Sequence, residues 1–463
     1  MNRALVRDLS AATAAALLVL GAVLIGRHLQ DSYRNLFVHW PPLFADWDPH
    51  VGPGTPAALI VAAAVIAYGP ALAARLPWRA LLAAAWGAAM SWTWSLALVD
   101  GWQRGVAGRL TTRNEYLQVI DRFHDIPATL RDFTGHILSR SPDSWPAHIA
   151  GHPPAATLTF VLLDRVGLGG GGWAGAWCIT VGASAGAAVL VAVRALAGED
   201  LARRAAPFLV LAPAAVWVGA SADGYFAAVA AWSVALLALA VTGRSRWWAA
   251  GAGLLFGLTC YLSYGLTLFA LIGAAALLPG RNRLRMLPFL LAGTVVVPLV
   301  FTLAGFDWWE AYRLLEVRYY QGVGGIRPYG YWVWANLACL VLVTGPATAA
   351  GLGRVGGALV GQVRRWGAGS AGRRDSGSCG RRSVPRADAW PASVRLALLV
   401  AAAALAVLAA DLSGLSKAET ERIWLPFAMW LLPACALLTR PRAWLTAQAA
   451  LALLLNHLLL TGW

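Results

Sequence analysis

Long apolar runs recur along the whole chain and restrict its fold more than any other feature. They cover residues 11–26, 57–74, 80–99, 172–193, 206–219, 225–242, 247–262, 266–279, 286–304, 331–352, 394–410, 423–438 and 443–461. A helix needs about 20 apolar residues to cross roughly 30 Å of hydrocarbon, and lipid leaves no unpaired backbone group tolerable. With 59% hydrophobic and 13% charged residues, the sequence predicts an all-α polytopic integral membrane protein with about 11–13 transmembrane helices.

The positive charge lies in short connectors between these runs. The net charge is +15, with basic pairs such as Arg3 and Arg7, or Arg75 and Arg79, beside apolar runs. Basic connectors are typical of the cytoplasmic side of a membrane protein, so we expect no nucleic-acid partner. They predict a multi-pass protein of the inner (plasma) membrane whose N-terminus is inside. The acid-rich loop 100–153 is then periplasmic or extracellular, and the active face is expected there.

Composition divides the chain into three parts. Residues 1–352 are predicted to be a transmembrane helical domain with the external loop 100–153, which is expected to contain short helices. Residues 353–392 are rich in Gly, Ser and Arg and are predicted to be a disordered basic cytoplasmic loop, since they offer little apolar surface to bury. Residues 393–463 are predicted to form the C-terminal transmembrane helices. The run 154–167 is short, and its residues 154–163 are interpreted as a helix that dips in and returns. Alternatively, the connector 194–204 lies outside.

Three candidate residues lie in the first half of loop 100–153. Asp100 closes the third long apolar run and is either a helix-end residue or a general base. Glu115 and Tyr116 follow within a mixture of acids, arginines and aromatics. Such a mixture suits a sugar, although an amphipathic surface helix explains it as well.

The loop ends in two histidines beside a proline pair. His148 and His152 are four residues apart, a spacing that would suit a metal on a helix. Gly151 and the following Pro153-Pro154 make a regular helix unfavourable there, and no third ligand is evident. A divalent metal ion is therefore compatible but not required, and histidines near a phosphate are the more economical interpretation.

Further candidates lie in other predicted outer connectors. Asp223 separates two apolar runs, where Asp-Gly is also an ordinary turn. Arg313 and Arg318 lie in an aromatic-rich connector and suggest an anionic partner such as a lipid phosphate. Glu421 and Arg422 begin a helix: Arg422 suits a bidentate phosphate contact or an Arg–Glu pair at the helix end.

The Asp46-Trp47-Asp48 sequence in the first predicted outer loop is a secondary candidate. It has the form D-x-D, but the residues that follow it are typical of a turn.

The order of these features resembles that of GT-C glycosyltransferases, such as protein O-mannosyltransferases and aminoarabinose transferases. The matching positions are Asp100, His152-Pro153-Pro154, Asp223, and the segment from Arg422 to Pro426. The resemblance covers roughly residues 80–240 and 415–430. The composition, with its Gly-His-Pro-Pro and Glu-Arg-Ile-Trp-Leu-Pro stretches, also looks like that of actinobacterial envelope membrane proteins.

The resemblance implies a GT-C-like fold and transfer of a sugar from a polyprenyl-phosphate donor to a glycan or lipid acceptor of the envelope. Asp100 would activate the acceptor hydroxyl, while His152, Arg422 or arginines 313–327 would stabilise the leaving phosphate. Asp100 is therefore the acid on which turnover is expected to depend most. Membrane lipids are the other expected partners, and no cofactor is implied with certainty.

The alternative is a polytopic transporter or flippase of lipid-linked or small polar substrates. A transporter would place ionisable residues on broken helices near the membrane midplane. This chain concentrates its acids in the predicted outer connectors, which favours an enzyme.

Overall fold

The computed structural model describes residues 3–243, 245–280, 282–371 and 390–462, and this part of the chain is almost entirely helical. The first α-helices are α1 (Arg3–Tyr33), α2 (Thr55–Arg75), α3 (Trp78–Ala97), α4 (Ile126–Asp132), α5 (Ala147–Gly151), α6 (Ala155–Arg165), α7 (Gly171–Gly182), α8 (Ser184–Ala197), α9 (Glu199–Val210) and α10 (Ala215–Val218). The remaining α-helices are α11 (Ala222–Thr242), α12 (Arg246–Leu262), α13 (Phe269–Leu277), α14 (Arg283–Leu303), α15 (Trp308–Gln321), α16 (Tyr329–Thr344), α17 (Pro346–Ala371), α18 (Ala392–Leu412), α19 (Thr420–Ile423), α20 (Leu425–Ala428) and α21 (Pro441–Leu458).

Among the described residues, seven helices are long and apolar enough to cross a membrane. The bent pair α16 and α17 raises this number to eight if it forms one span, and Tyr264–Leu277 and Leu425–Leu437 are shorter apolar helices. The chain is therefore a helical protein with membrane-spanning character. The sequence predicted about 11–13 spans because it treated every apolar run as one helix.

Proline explains why several apolar runs do not form one long helix. The run 206–219 is split between α9 and α10, with Pro213 between them. The run 423–438 becomes α19, α20 and the 3-10 helix Leu432–Leu437, with Pro426 and Pro433 near its breaks. Proline supplies no N–H and clashes with the preceding turn, so hydropathy alone does not reveal these interruptions.

A sharp break separates α16 from α17. The two helices are bent by 108° relative to each other. Gly345 lies at the break with a φ of 81°, and a Cβ at this position would collide with the side-chain amide of Gln448. Gln448 in turn donates a hydrogen bond to the Thr344 carbonyl at 2.8 Å. Glycine is therefore required here for both backbone conformation and close packing.

Small residues allow the helices to approach closely. On α12, Gly253 faces the backbone of α14 at Leu290 and Thr294, and Gly293 of α14 faces Ala250 of α12. A Cβ at either glycine would overlap the neighbouring backbone. Such small-residue contacts are typical of helices that pack in lipid, where dispersion and not hydrophobic exclusion holds them together.

The predicted basic loop begins later than expected. Helix α17 extends through Ala371, so the prediction of disorder from residue 353 is wrong for its first part. Arg354 of this segment is paired: its Nε and Nη2 donate to Asp8 at 2.6 and 2.8 Å and join α17 to α1. The carboxylate of Asp8 is fully buried in this pair. Residues 372–389 of the predicted loop lie outside the described residues.

Helix α6 is short. Its 11 residues give a length of about 16 Å, roughly half the thickness of the hydrocarbon. The following span, Gly171–Ala197, is 27 residues long. The helix that dips in and returns stays a prediction.

The loop 100–153 is an ordered structure with short helices, as predicted. Besides α4 and α5 it contains a π-helix at Gln103–Ala107 and 3-10 helices at Arg109–Thr111, Tyr116–Phe123 and Phe133–His136. Trp145 is its centre: the ring packs on Phe123 and Phe133, and its Nε1 donates to the Phe133 carbonyl at 2.9 Å. The guanidinium of Arg122 lies 3.6 Å from the ring centroid. This aromatic core holds the loop rigid beside the ends of the long helices.

A short antiparallel ribbon was not predicted. Strand β1 (Ala45–Trp47) pairs with β2 (Leu459–Thr461), and Asp46 lies opposite Leu460. The ribbon attaches the segment after α21 to the loop between α1 and α2. Three-residue strands leave little periodic pattern in a sequence.

Candidate functional site

Four charged or titratable side chains from distant parts of the chain meet in a buried ion network of Glu115, His148, Asp223 and Arg422. Arg422 donates to Asp223 at 3.0 Å, and its Nη2 lies 3.1 Å from His148 Nε2. His148 Nδ1 lies 2.8 Å from Glu115 Oε1. The side chains of Arg422 and Asp223 are 5% and 6% exposed, so these charges stabilise one another largely out of contact with water.

Short irregular elements carry every member of the network. Glu115 immediately precedes the 3-10 helix Tyr116–Phe123, and His148 lies in the single turn of α5. The prolines after His152 predicted that a regular helix would be unfavourable around His148. Helix α5 nevertheless forms one turn, because it ends at Gly151, before Pro153 and Pro154. Asp223 is in the first turn of α11, where the Ser221 side chain accepts from the Asp223 amide. Arg422 is in α19.

The contacts of His148 assign its protonation. A guanidinium N–H can only donate, so His148 Nε2 must accept from Arg422 and carries no proton. The proton therefore resides on Nδ1, which faces the carboxylate of Glu115. His148 is accordingly a neutral ring that links an anion to a cation. With two carboxylates and one guanidinium, the buried ion network has a net negative charge.

Glu115 is ionised despite its burial. Burial acts to raise its pKa, but the hydrogen bond from His148 and the charge of Arg422 oppose this effect, and the pKa lies below its ordinary value. Its Oε2 has no hydrogen-bond partner among the described residues. Burial also raises the pKa of neighbouring Tyr116, whose hydroxyl likewise has no described partner. The network thus contains an anionic oxygen and a neutral hydroxyl, both of which are buried.

His152 lies at the half-buried edge of this network. Its Nδ1 is 2.8 Å from the carbonyl oxygen of His148, which can only accept, so the proton is on Nδ1 and Nε2 is a bare acceptor. Burial lowers the pKa of His152 to about 4. His152 is therefore neutral and suited to accept a hydrogen bond from a hydroxyl.

Asp100 belongs to a second group, the Asp100 cluster of His50, Asp100 and Arg109. Its Oδ1 is 2.8 Å from His50 Nε2, and its Oδ2 accepts from Arg109 Nη2 at 2.8 Å. The carboxylate is 12% exposed. Sequence analysis identified neither His50 nor Arg109 as a partner. His50 follows the Asp46-Trp47-Asp48 sequence by two residues, and Arg109 lies in a part of loop 100–153 that contains no motif.

Glu421 is separate from Arg422 although the two are neighbours in sequence. Its side chain is fully buried, and Oε1 accepts from the Phe44 amide at 2.8 Å. Burial raises the pKa of this carboxyl to about 7. Glu421 therefore attaches α19 to the loop between α1 and α2, and it titrates near neutral pH.

The two arginines of the aromatic connector have different surroundings. Arg318 donates to the Ile137 and Trp145 carbonyls at 3.0 and 3.1 Å, which attaches α15 to loop 100–153. Arg313 is exposed on α15. Arg327, in the same connector, donates to the Leu36 and Lys417 carbonyls and pairs with Glu419.

Asp46 and Asp48 of the first predicted outer loop have separate contacts and do not form a paired metal site. Asp46 is exposed and contacts His39 at 2.5 Å. The backbone carbonyl of Asp48 contacts His50. Within the described ranges, no group of three or more His, Cys, Asp or Glu side chains is arranged to hold a metal ion.

No protein-family model, curated protein or solved structure matches this chain. The class that the structure defines is a helical protein with membrane-spanning character, which has a buried ion network at one end of its helices.

Proposed function

We propose that this chain is a GT-C-like membrane glycosyltransferase that moves a sugar from a polyprenyl-phosphate donor to a glycan or lipid acceptor of the envelope. The observation that carries the proposal is the buried ion network. It gathers acids, a neutral histidine and an arginine from loop 100–153, α11 and α19, the three regions that contain the sequence resemblance. The proposed location is the plasma membrane, with the chemistry on the outer face.

The proposed reaction needs two kinds of group. The acceptor hydroxyl must lose a proton as it attacks the anomeric carbon, and the bond to the polyprenyl phosphate must break with negative charge growing on that phosphate. We assign the role of taking the proton to Glu115, because Asp223 is bound to Arg422 whereas Glu115 Oε2 has no described partner. Asp100, which the sequence favoured, instead shares its charge with two neighbouring side chains.

Arg422 has a positioning role in this proposal. It is bound to Asp223 and contacts His148, which holds the His148 ring in the orientation that faces Glu115. His152 lies beside the network, and its bare Nε2 offers an acceptor for a sugar hydroxyl. The fully buried ring of Tyr116 packs against the His152 ring with centroids 5.9 Å apart.

The activity is tested with purified protein in nanodiscs, mixtures of polyprenyl-phosphate sugars and envelope glycan or lipid acceptors, analysed by mass spectrometry. We expect a mass increase of one sugar on an acceptor, release of polyprenyl phosphate, and loss of both in Glu115→Gln. If no sugar is transferred while the lipid-linked sugar crosses the bilayer of proteoliposomes, the chain is a flippase and the proposal is wrong.

The proposed topology has an internal N-terminus and places loop 100–153 outside. A cysteine introduced at Leu130 should react with a membrane-impermeant maleimide added from outside, while Cys379 should not react until the cells are opened. Leu130 is buried, so the same labelling is repeated with a cysteine at the neighbouring exposed position, Arg131→Cys, in intact cells. Labelling of Cys379 from outside, with protection of position 130, would refute the orientation.

A further inference from the structure

The distances around His50 require a proton between His50 and Asp100 in the Asp100 cluster. His50 Nδ1 lies 2.7 Å from the backbone carbonyl of Asp48, which can only accept, so this nitrogen carries a proton. His50 Nε2 lies 2.8 Å from the Asp100 carboxylate, another acceptor. Two acceptors do not approach this closely without a hydrogen between them. One proton is therefore shared between His50 and Asp100.

This proton makes the cluster positive. If it lies on His50, the cluster contains an imidazolium, a carboxylate and the guanidinium of Arg109. If it lies on Asp100, two neutral groups accompany the same guanidinium. The net charge is positive in both cases, whereas the buried ion network is negative. The two groups thus differ in what they attract.

Arg109 retains donors for a ligand. Its Nη2 donates to Asp100 and its Nη1 to the Thr461 carbonyl at 3.1 Å, and the guanidinium has further N–H groups. Burial lowers the pKa of Arg109, Asp100 opposes this effect, and nearby Arg104 adds to it. An arginine remains charged under such conditions. The side chains of His50, Asp100 and Arg109 are 20%, 12% and 12% exposed, so none is completely closed to solvent.

The position of the cluster suits a ligand at a membrane boundary. Asp100 follows α3 directly, and Trp94 of α3 stacks on exposed Trp102 with ring centroids 6.4 Å apart. Tryptophan is enriched where hydrocarbon meets the headgroup layer. A lipid-linked phosphate group lies at the same depth.

We infer that His50, Asp100 and Arg109 form a binding site for the phosphate of the lipid-linked donor, with Asp100 orienting the two cationic side chains. Arginine binds phosphate oxygens through several N–H groups, and an imidazolium adds a charged donor. Asp100 is then a positioning residue and not the base. This inference rests on the proposed function for the identity of the donor, but not for phosphate binding itself.

The test measures binding without any sugar transfer. Farnesyl phosphate, farnesol and inorganic phosphate are titrated into the full-length protein in nanodiscs, and tryptophan fluorescence reports occupancy. We expect farnesyl phosphate to bind at least tenfold more tightly than farnesol, and inorganic phosphate to compete with it. His50→Gln and Arg109→Gln should each weaken farnesyl phosphate binding about tenfold or more, whereas Arg109→Lys should lose less, because it retains the charge.

Matched controls separate this site from general effects. His39→Gln alters an exposed histidine–carboxylate pair, and Arg113→Gln removes an exposed charge from the same loop; both should bind farnesyl phosphate as the wild type does. Melting temperatures identify variants that lose the β1–β2 ribbon near Arg109. Equal binding of farnesol and farnesyl phosphate, or wild-type binding by a folded His50→Gln variant, would overturn the inference.

The outcomes also distinguish this inference from the proposed function. Phosphate binding that depends on His50 and Arg109, without any sugar transfer, would leave the site standing and refute the transferase. If sugar is transferred and the KM for the donor is unchanged in Arg109→Gln and His50→Gln, the transferase proposal stands and the phosphate site is refuted.

Discussion

Glu115→Gln is expected to lower the rate of sugar transfer by roughly 10²-fold or more, the scale of losing a general base. Glutamine keeps the size of the side chain and an oxygen that can accept from His148 Nδ1, so the surrounding contacts are retained. The substitution removes the negative charge that would take the acceptor's proton. The loss should therefore fall on kcat, while the KM for the donor and the melting temperature stay close to wild type.

Two other carboxylates provide the comparison. Asp132 lies in the same loop, is 74% exposed and pairs with His136, so Asp132→Asn should leave kcat unchanged. Asp100→Asn should raise the donor KM, because it releases His50 and Arg109. If Asp100→Asn instead lowers kcat 10²-fold with normal donor binding, and Glu115→Gln is near wild type, then Asp100 is the base, as the sequence suggested.

The sequence predicted the helical class of the fold well, because hydropathy responds directly to the length of an apolar run. It did not predict which runs are interrupted. Gly345, Pro213 and Pro426 mark breaks, but proline and glycine also occur inside continuous membrane helices, such as Pro288 and Pro298 in α14. Whether a helix breaks or continues at such a residue depends on the hydrogen-bond partners that neighbouring helices provide for the backbone groups left unpaired.

The sequence identified the members of the buried ion network but not their connections. Glu115, His148, Asp223 and Arg422 were each candidates, yet 199 residues separate Asp223 from Arg422 and 274 separate His148 from Arg422. A single sequence contains no signal for such contacts. Asp100 was favoured because it ends an apolar run. Its partners His50 and Arg109 were missed because both pairings depend on the tertiary fold.

Arg422→Leu is expected to destabilise the protein by about 3–5 kcal/mol, the cost of leaving buried charges without a partner. Asp223 would lose the guanidinium that donates to it at 3.0 Å, and His148 would lose the donor to its Nε2. Transfer should also fall strongly, since nothing would hold His148 in the orientation that faces Glu115. Reversible denaturant unfolding in detergent, followed by tryptophan fluorescence, measures the free energy.

A second substitution separates the buried charge from lost packing. Asp223→Asn removes the uncompensated anion, so the double variant Asp223→Asn/Arg422→Leu should be more stable than Arg422→Leu alone, although it remains inactive. As a control, Arg194→Leu disrupts an ion pair with Glu199 in which both side chains are more than one third exposed; it should unfold close to wild type because water screens such pairs. A double variant no more stable than Arg422→Leu would show that Arg422 stabilises the protein through packing, and the buried ion network would then lose its electrostatic interpretation.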